Sequence, residues 1–143
     1  MRPTVTLMSA KGKKAKGKIL VIDDSEIVLD AAQAALEEAG FEVATLSTPF
    51  ELAAVVAREK PDLILLDVMM PLVGGETVHE ILKRREALKG IPVLFHSDRP
   101  ESELQALVER TGALGYIPKV GDTDRFVAEV QRWARHLRTS KTP

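Results

Sequence analysis

Five short runs rich in leucine and β-branched residues, separated by amphipathic stretches, limit what this chain can become more than any other feature. They fall at 18–23, 41–45, 62–67, 91–96 and 113–117. Their apolar residues are mostly continuous rather than alternating, the pattern of strands covered on both faces. Such strands form parallel sheets joined by helical crossovers. The first intervening helix is expected to begin after Asp24, with Val28, Ala32, Ala35, Leu36 and Ala39 on one face, and to stop at Gly40. The last repeats that spacing with Phe126, Val130, Trp133, Ala134 and Leu137, which makes Trp133 a packing residue. Helices near 49–59, 75–86 and 100–111 complete the set, the last of these three opened by an Asp98-x-x-Glu101 capping box with Pro100 in the first turn. The expected fold class is α/β, five parallel strands with helices on both faces.

Two of the runs end in acid. Ile19-Leu20-Val21-Ile22 closes on Asp23-Asp24, and Leu63-Ile64-Leu65-Leu66 closes on Asp67. The carboxyl ends of parallel strands are where open α/β sheets bind ligands. Three clustered carboxylates repel one another unless a hard cation such as Mg²⁺ joins them, and the cation in turn attracts a phosphate. Singly, each acid has a plainer reading: Asp23-Asp24 as a helix cap, Asp67 as a turn residue. Ser97 follows the fourth run and Lys119 the fifth. Independent caps have no reason to land on four strand ends around one crevice, so together these residues point to a single site.

The rest of the composition narrows the alternatives. With 143 residues and 45% hydrophobic content, the chain suffices for one core. There is no cysteine, which removes disulfides, thiolate metal sites and a cysteine nucleophile. Residues 1–17 carry Arg2, Lys11, Lys13, Lys14 and Lys16 and no acid, leaving fifteen basic against twenty-one acidic residues, a charge of −6, for the remainder. Such a body is a poor nucleic-acid binder, and the tail is expected to be a solvated, disordered leader. Val5-Thr6-Leu7-Met8 is too short for a signal peptide, and no run is long enough to span a membrane. A cytoplasmic setting is the simplest expectation.

Asp23-Asp24, Asp67, Ser97 and Lys119, with the Asp67-x-x-Met70-Pro71-x-x-x-Gly75 loop, closely resemble the receiver domain of two-component response regulators, with the spacing of its stand-alone chemotaxis type. The resemblance covers about residues 18–138 and leaves 139–143 as a short tail. It implies a flavodoxin-like (βα)5 fold with strand order 2-1-3-4-5. It also implies that Asp67 accepts a phosphoryl group as a carboxylate nucleophile. Asp24, Asp67 and the backbone carbonyl of Met69 would hold Mg²⁺, replaceable by Mn²⁺, with Asp23 acting through water. Lys119 would contact the phosphate oxygens, Ser97 would hydrogen-bond to the new phosphoryl group, and Tyr116 would be the switch aromatic that turns inward with Ser97. Self-phosphorylation and slow autodephosphorylation are implied, without turnover of an external substrate as the role.

The implied phosphodonor is a histidine kinase or histidine phosphotransfer protein. The implied output is a surface on the fourth helix, fifth strand and fifth helix that changes on phosphorylation and binds a downstream protein, in a monomer or a phosphorylation-promoted dimer. No output domain is expected after Leu137, so the output is a binding event, a phosphate sink or a function of a larger protein. Four positions depart from the family pattern or vary within it: Val120 replaces the proline that usually follows the lysine, Asp98 stands where a small residue is usual, and Met69 and Arg99 occupy positions that tune access of water. These departures motivate the alternative of a phosphorylation-independent pseudo-receiver. A dehalogenase-type phosphatase would need an acid at Met69, and a flavin-mononucleotide binder would not place Asp23-Asp24 in its phosphate loop. Of the histidines, His79 and His136 are expected to face solvent, while His96 lies beside Ser97.

Overall fold

The structure, a computed structural model, describes residues 16–68, 77, 90–119 and 122–141. The apolar runs form β1 (Lys18–Ile22), β2 (Glu42–Leu46), β3 (Leu63–Leu66), β4 (Val93–Ser97) and β5 (Gly115–Pro118). They build one parallel sheet in the order β2-β1-β3-β4-β5. The described helices are α1 (Glu26–Glu38), α2 (Leu52–Glu59), α3 (Glu101–Thr111) and α4 (Thr123–Lys141), with a 3₁₀ turn at Pro49–Glu51 ahead of α2. Apart from residue 77, which is helical, the expected helix at 75–86 with His79 lies outside the described residues, as do the Met69-to-Gly75 loop, Val120 and residues 1–15, so α3 and α4 are the fourth and fifth helices anticipated from the sequence.

Strand parity sorts the core into two layers. Leu20, Ile22, Ile64, Leu66, Val93 and Phe95 face α2 and α3, where Leu52, Val55, Val56, Leu104 and Leu107 meet them. Ile19, Val21, Leu63, Leu65, Leu94 and Ile117 face α1 and α4. All four β3 residues are buried, which explains why that run is continuously apolar. Register then aligns the strand ends: Ile22 pairs with both Leu46 and Leu66, and Leu66 with Phe95.

The helices depart from expectation in two places. In α1 the buried residues are Leu29, Ala32 and Leu36. Leu29 therefore joins the core, while Val28 and Ala35 sit half-buried on the flank toward α4. The other departure is at α3, which starts at Glu101 with Pro100 as its cap residue and no side-chain cap hydrogen bond. Pro100 has φ −55° and ψ 143°, an extended backbone that places the first helical turn beyond Asp98, and its carbonyl accepts from Glu103 and Leu104. The Asp98 capping box is thus not formed, and Asp98 is exposed. Along α4, Phe126, Val130, Trp133, Ala134 and Leu137 all join the layer beneath the sheet, as the spacing predicts.

Candidate functional site

Backbone hydrogen bonds between strand ends place the functional side chains. Beyond β1, the Asp23 amide donates to the Leu46 carbonyl at 3.2 Å, and beyond β3 the Asp67 amide donates to Ile22 at 2.9 Å. The Lys119 amide donates to the Ser97 carbonyl at 2.8 Å, fastening the end of β5 to that of β4. Asp23, Asp24, Asp67, Ser97 and Lys119 therefore converge on the carboxyl edge of the sheet, at the crevice where α/β sheets bind ligands.

Carboxylate oxygens of Asp23, Asp24 and Asp67 lie within 4.8 Å of one another. Asp23 and Asp67 are only 1% and 3% exposed, whereas Asp24 faces solvent. Two buried carboxylates need positive charge nearby, and Lys119 supplies it. Its Nζ is 2.6 Å from Asp23 Oδ2 and 3.7 Å from Asp67 Oδ2. The lysine expected to meet phosphate thus rests chiefly on Asp23. Asp23 Oδ1 also accepts the Ser25 amide at 2.9 Å, so both of its oxygens are held. The helix cap is Ser25, whose Oγ accepts from the Val28 amide at 3.3 Å; neither aspartate performs it.

Three oxygen-donor carboxylates this close together fit a hard divalent cation such as Mg²⁺. The exposed Asp24 leaves a path for entry from solvent. Met69, whose carbonyl was expected to join them, lies outside the described residues.

Ser97 is fully buried and its Oγ accepts from the Arg99 amide at 3.2 Å. Tyr116 is half-buried against the α2/α3 layer, and its hydroxyl donates to Glu101 Oε1 at 3.0 Å. That bond to a carboxylate raises the tyrosine pKa above its usual value. It also ties β5 to the first turn of α3, away from the carboxylates.

His96 was not among the predicted site residues, yet it stands beside them. It has the parity of Leu94, so its ring faces α4 and stacks on Phe126, centroids 5.0 Å apart. Burial, then the charge of Lys119, lowers its pKa to about 4 against the opposing pull of Asp23, so the ring is neutral at pH 7. Alternation along Val93-Leu94-Phe95-His96-Ser97 is the sequence signal for its placement. His136 is exposed, as expected.

The response regulator receiver domain family model matches residues 19–131. The chain belongs to that family. Among curated relatives, the DNA-binding dual master transcriptional regulator RpaA of Synechocystis is 33% identical over 88% of this chain and 52% of its own length. The alkaline phosphatase synthesis transcriptional regulatory protein PhoP of Bacillus subtilis is 36% identical over 71% of this chain and 42% of its own. The chain thus spans about half the length of these relatives or less. Among solved structures, the chemotaxis protein CheY4 of Vibrio cholerae is similar, with a TM-score of 0.73 at 26% identity over 80% of this chain and 96% of CheY4. Phosphorylation and Mg²⁺ binding are known features of this two-component signalling family. No helix among the described residues is long and apolar enough to cross a membrane.

Proposed function

We propose that this receiver domain is a phosphoacceptor signalling module that takes a phosphoryl group from a phosphohistidine donor onto Asp67. The observation that carries this reading is the convergence of Asp67 and Asp23, both buried, with exposed Asp24 and the Lys119 ammonium at one sheet edge. Asp24 and Asp67 would hold Mg²⁺ directly, with the Met69 carbonyl, and Asp23 through water. Bound there, Mg²⁺ would offset negative charge on the carboxylates and the incoming phosphoryl oxygens.

In the transfer, a carboxylate oxygen of Asp67 attacks phosphorus; the new O–P bond forms as the donor's P–N bond breaks, and the released imidazole takes up a proton. Lys119 offers positive charge to the phosphoryl oxygens, which requires it to loosen its hold on Asp23. Ser97 exchanges the Arg99 amide for the new phosphoryl group, and Tyr116 leaves Glu101 and turns inward. The surface of α3, β5 and α4 changes in consequence and binds a downstream protein. A histidine kinase or phosphotransfer protein is the donor class, and turnover of an external substrate is not the role.

Intact-mass analysis after incubation with acetyl phosphate and Mg²⁺ tests this. One phosphoryl adduct on the wild type, absent from Asp67→Ala, is expected. Folded wild-type protein that takes no adduct from acetyl phosphate or a kinase would instead be a pseudo-receiver that works by protein contact alone.

A further inference from the structure

A chamber of about 420 Å³ opens between α1 and α4, beside the carboxyl edge of the sheet. Small-molecule sites span roughly 300–1,000 Å³, so its size suits a compact ligand. Ala32 and His96, 5% and 8% exposed, form its floor, and Val28, Pro118 and Phe126 its walls. At the rim stand Ile27, 82% exposed, and the exposed carboxylates of Asp98 and Asp122. The interior is therefore largely apolar and the mouth acidic.

Floor, wall and rim each select the occupant. The floor holds an unmet polar group: His96 is more than nine-tenths buried, yet its imidazole makes no hydrogen bond among the described residues. The ring is neutral at pH 7, so it offers one donor and one acceptor nitrogen, and leaving them unpaired is costly. The wall is aromatic, since Phe126 stacks on His96 with centroids 5.0 Å and planes 30° apart. The rim is negative. Asp98 makes no hydrogen bond or ion pair among the described residues, and Asp122 uses Oδ1 alone, accepting the Arg125 amide at 2.9 Å. Lys119, the lining cation, is already held at 2.6 Å by Asp23. An anionic ligand would meet two carboxylates at the mouth, whereas a cation would meet two partners.

We propose that the α1/α4 chamber is a binding site for a small arylalkylamine, its ring between Ile27, Pro118 and Phe126, a ring N–H donating to His96 and its ammonium at Asp98 and Asp122. The ring covers apolar surface that the fold leaves open at Ile27. The ammonium then fixes which end of the ligand faces solvent. Neither contact involves Asp67 or the acids beside it, so the site stands independently of phosphoryl transfer.

Amide NMR titration of the full chain with two probes tests this. Tryptamine and indole-3-propionate share a ring and an arm length and differ in the sign of the terminal charge. Tryptamine should give saturable shifts centred on Val28, Ala32 and Phe126, and indole-3-propionate should bind about tenfold more weakly, as two exposed charge pairs allow. Asp98→Asn with Asp122→Asn should remove most of that difference, and asparagine retains the capping oxygen at the start of α4. Removing the same charge further down the groove, by Glu38→Gln with Asp124→Asn, should leave the difference intact. His96→Leu should weaken tryptamine binding about fivefold. Absence of saturable shifts up to the solubility limit means that the chamber holds only water, and it overturns the proposal. So do equal affinities for the two probes, an equal response to the two pairs of charge removals, or shifts spread over the acidic surface.

Discussion

Replacing His96 by leucine should flatten the acid limb of the stability curve. The ring is 8% exposed, stacked on Phe126, and close enough to Lys119 to feel its charge. Its pKa falls from 6.5 to about 4 on folding, with burial the largest cause. Between those values the unfolded chain binds more protons than the folded one, so stability falls as pH drops. The linkage relation then gives a loss of about 2 kcal/mol between pH 7 and pH 5, and about 3 kcal/mol by pH 4. Leucine fills a similar volume and does not titrate, so His96→Leu should lose that much less over the same range. Losing the stack on Phe126 shifts the curve by a constant and leaves its slope alone. Urea unfolding in EDTA at half-unit pH steps provides the assay. The wild-type-minus-variant difference cancels the carboxylates that titrate in both proteins. Parallel profiles from pH 7 to pH 5 would refute the reasoning, because they would mean that His96 protonates as easily in the folded state as in the unfolded one.

Two further perturbations probe the same architecture. A Cβ at Gly115 would lie 2.6 Å from Trp133 Cζ2 and 2.8 Å from Cη2, so Gly115→Ala should cost about 1–3 kcal/mol by overpacking. Urea unfolding should find much of that loss recovered when Trp133→Leu is added. Lys119→Met leaves Asp23 and Asp67 buried without their ammonium, and since Lys119 is itself 20% exposed, the cost in EDTA should be about 2–4 kcal/mol, toward the low end for a buried pair. Millimolar Mg²⁺ should restore most of it in a thermal melt, and equal destabilisation with and without Mg²⁺ would contradict the role given to the lysine.

The sheet was legible because burial on both faces leaves a continuous apolar run, and β1, β3 and β4 each have one. The carboxylates were legible for a related reason: Asp23 and Asp67 interrupt those runs where the strands leave the core. Boundaries were less so. Phe41 reads as strand, yet its amide donates to the Leu36 carbonyl and closes α1 before β2 begins. The helix expected near 100–111 is found at Glu101–Thr111, but its cap was misread: Asp98, Pro100 and Glu101 satisfy the capping-box pattern, whereas the extended backbone at Pro100 makes that residue the cap. Residue type marked Lys119 as a cation for the site, but the carboxylate it rests on is set by side-chain torsions that one sequence does not display. His96 could have been placed by parity alone. Its low pKa could not, since that depends on burial beneath Phe126 and on the position of Lys119.

The most direct test of the central claim is to find which carboxylate carries the phosphoryl group. Protein phosphorylated with acetyl phosphate and Mg²⁺ would be treated with borohydride, which reduces an aspartyl phosphate to homoserine, and then mapped by peptide mass spectrometry. Homoserine at position 67 alone is the predicted result. Homoserine at 23 or 24, or at none of the three in protein shown to be folded, would contradict the assignment of Asp67 as the acceptor.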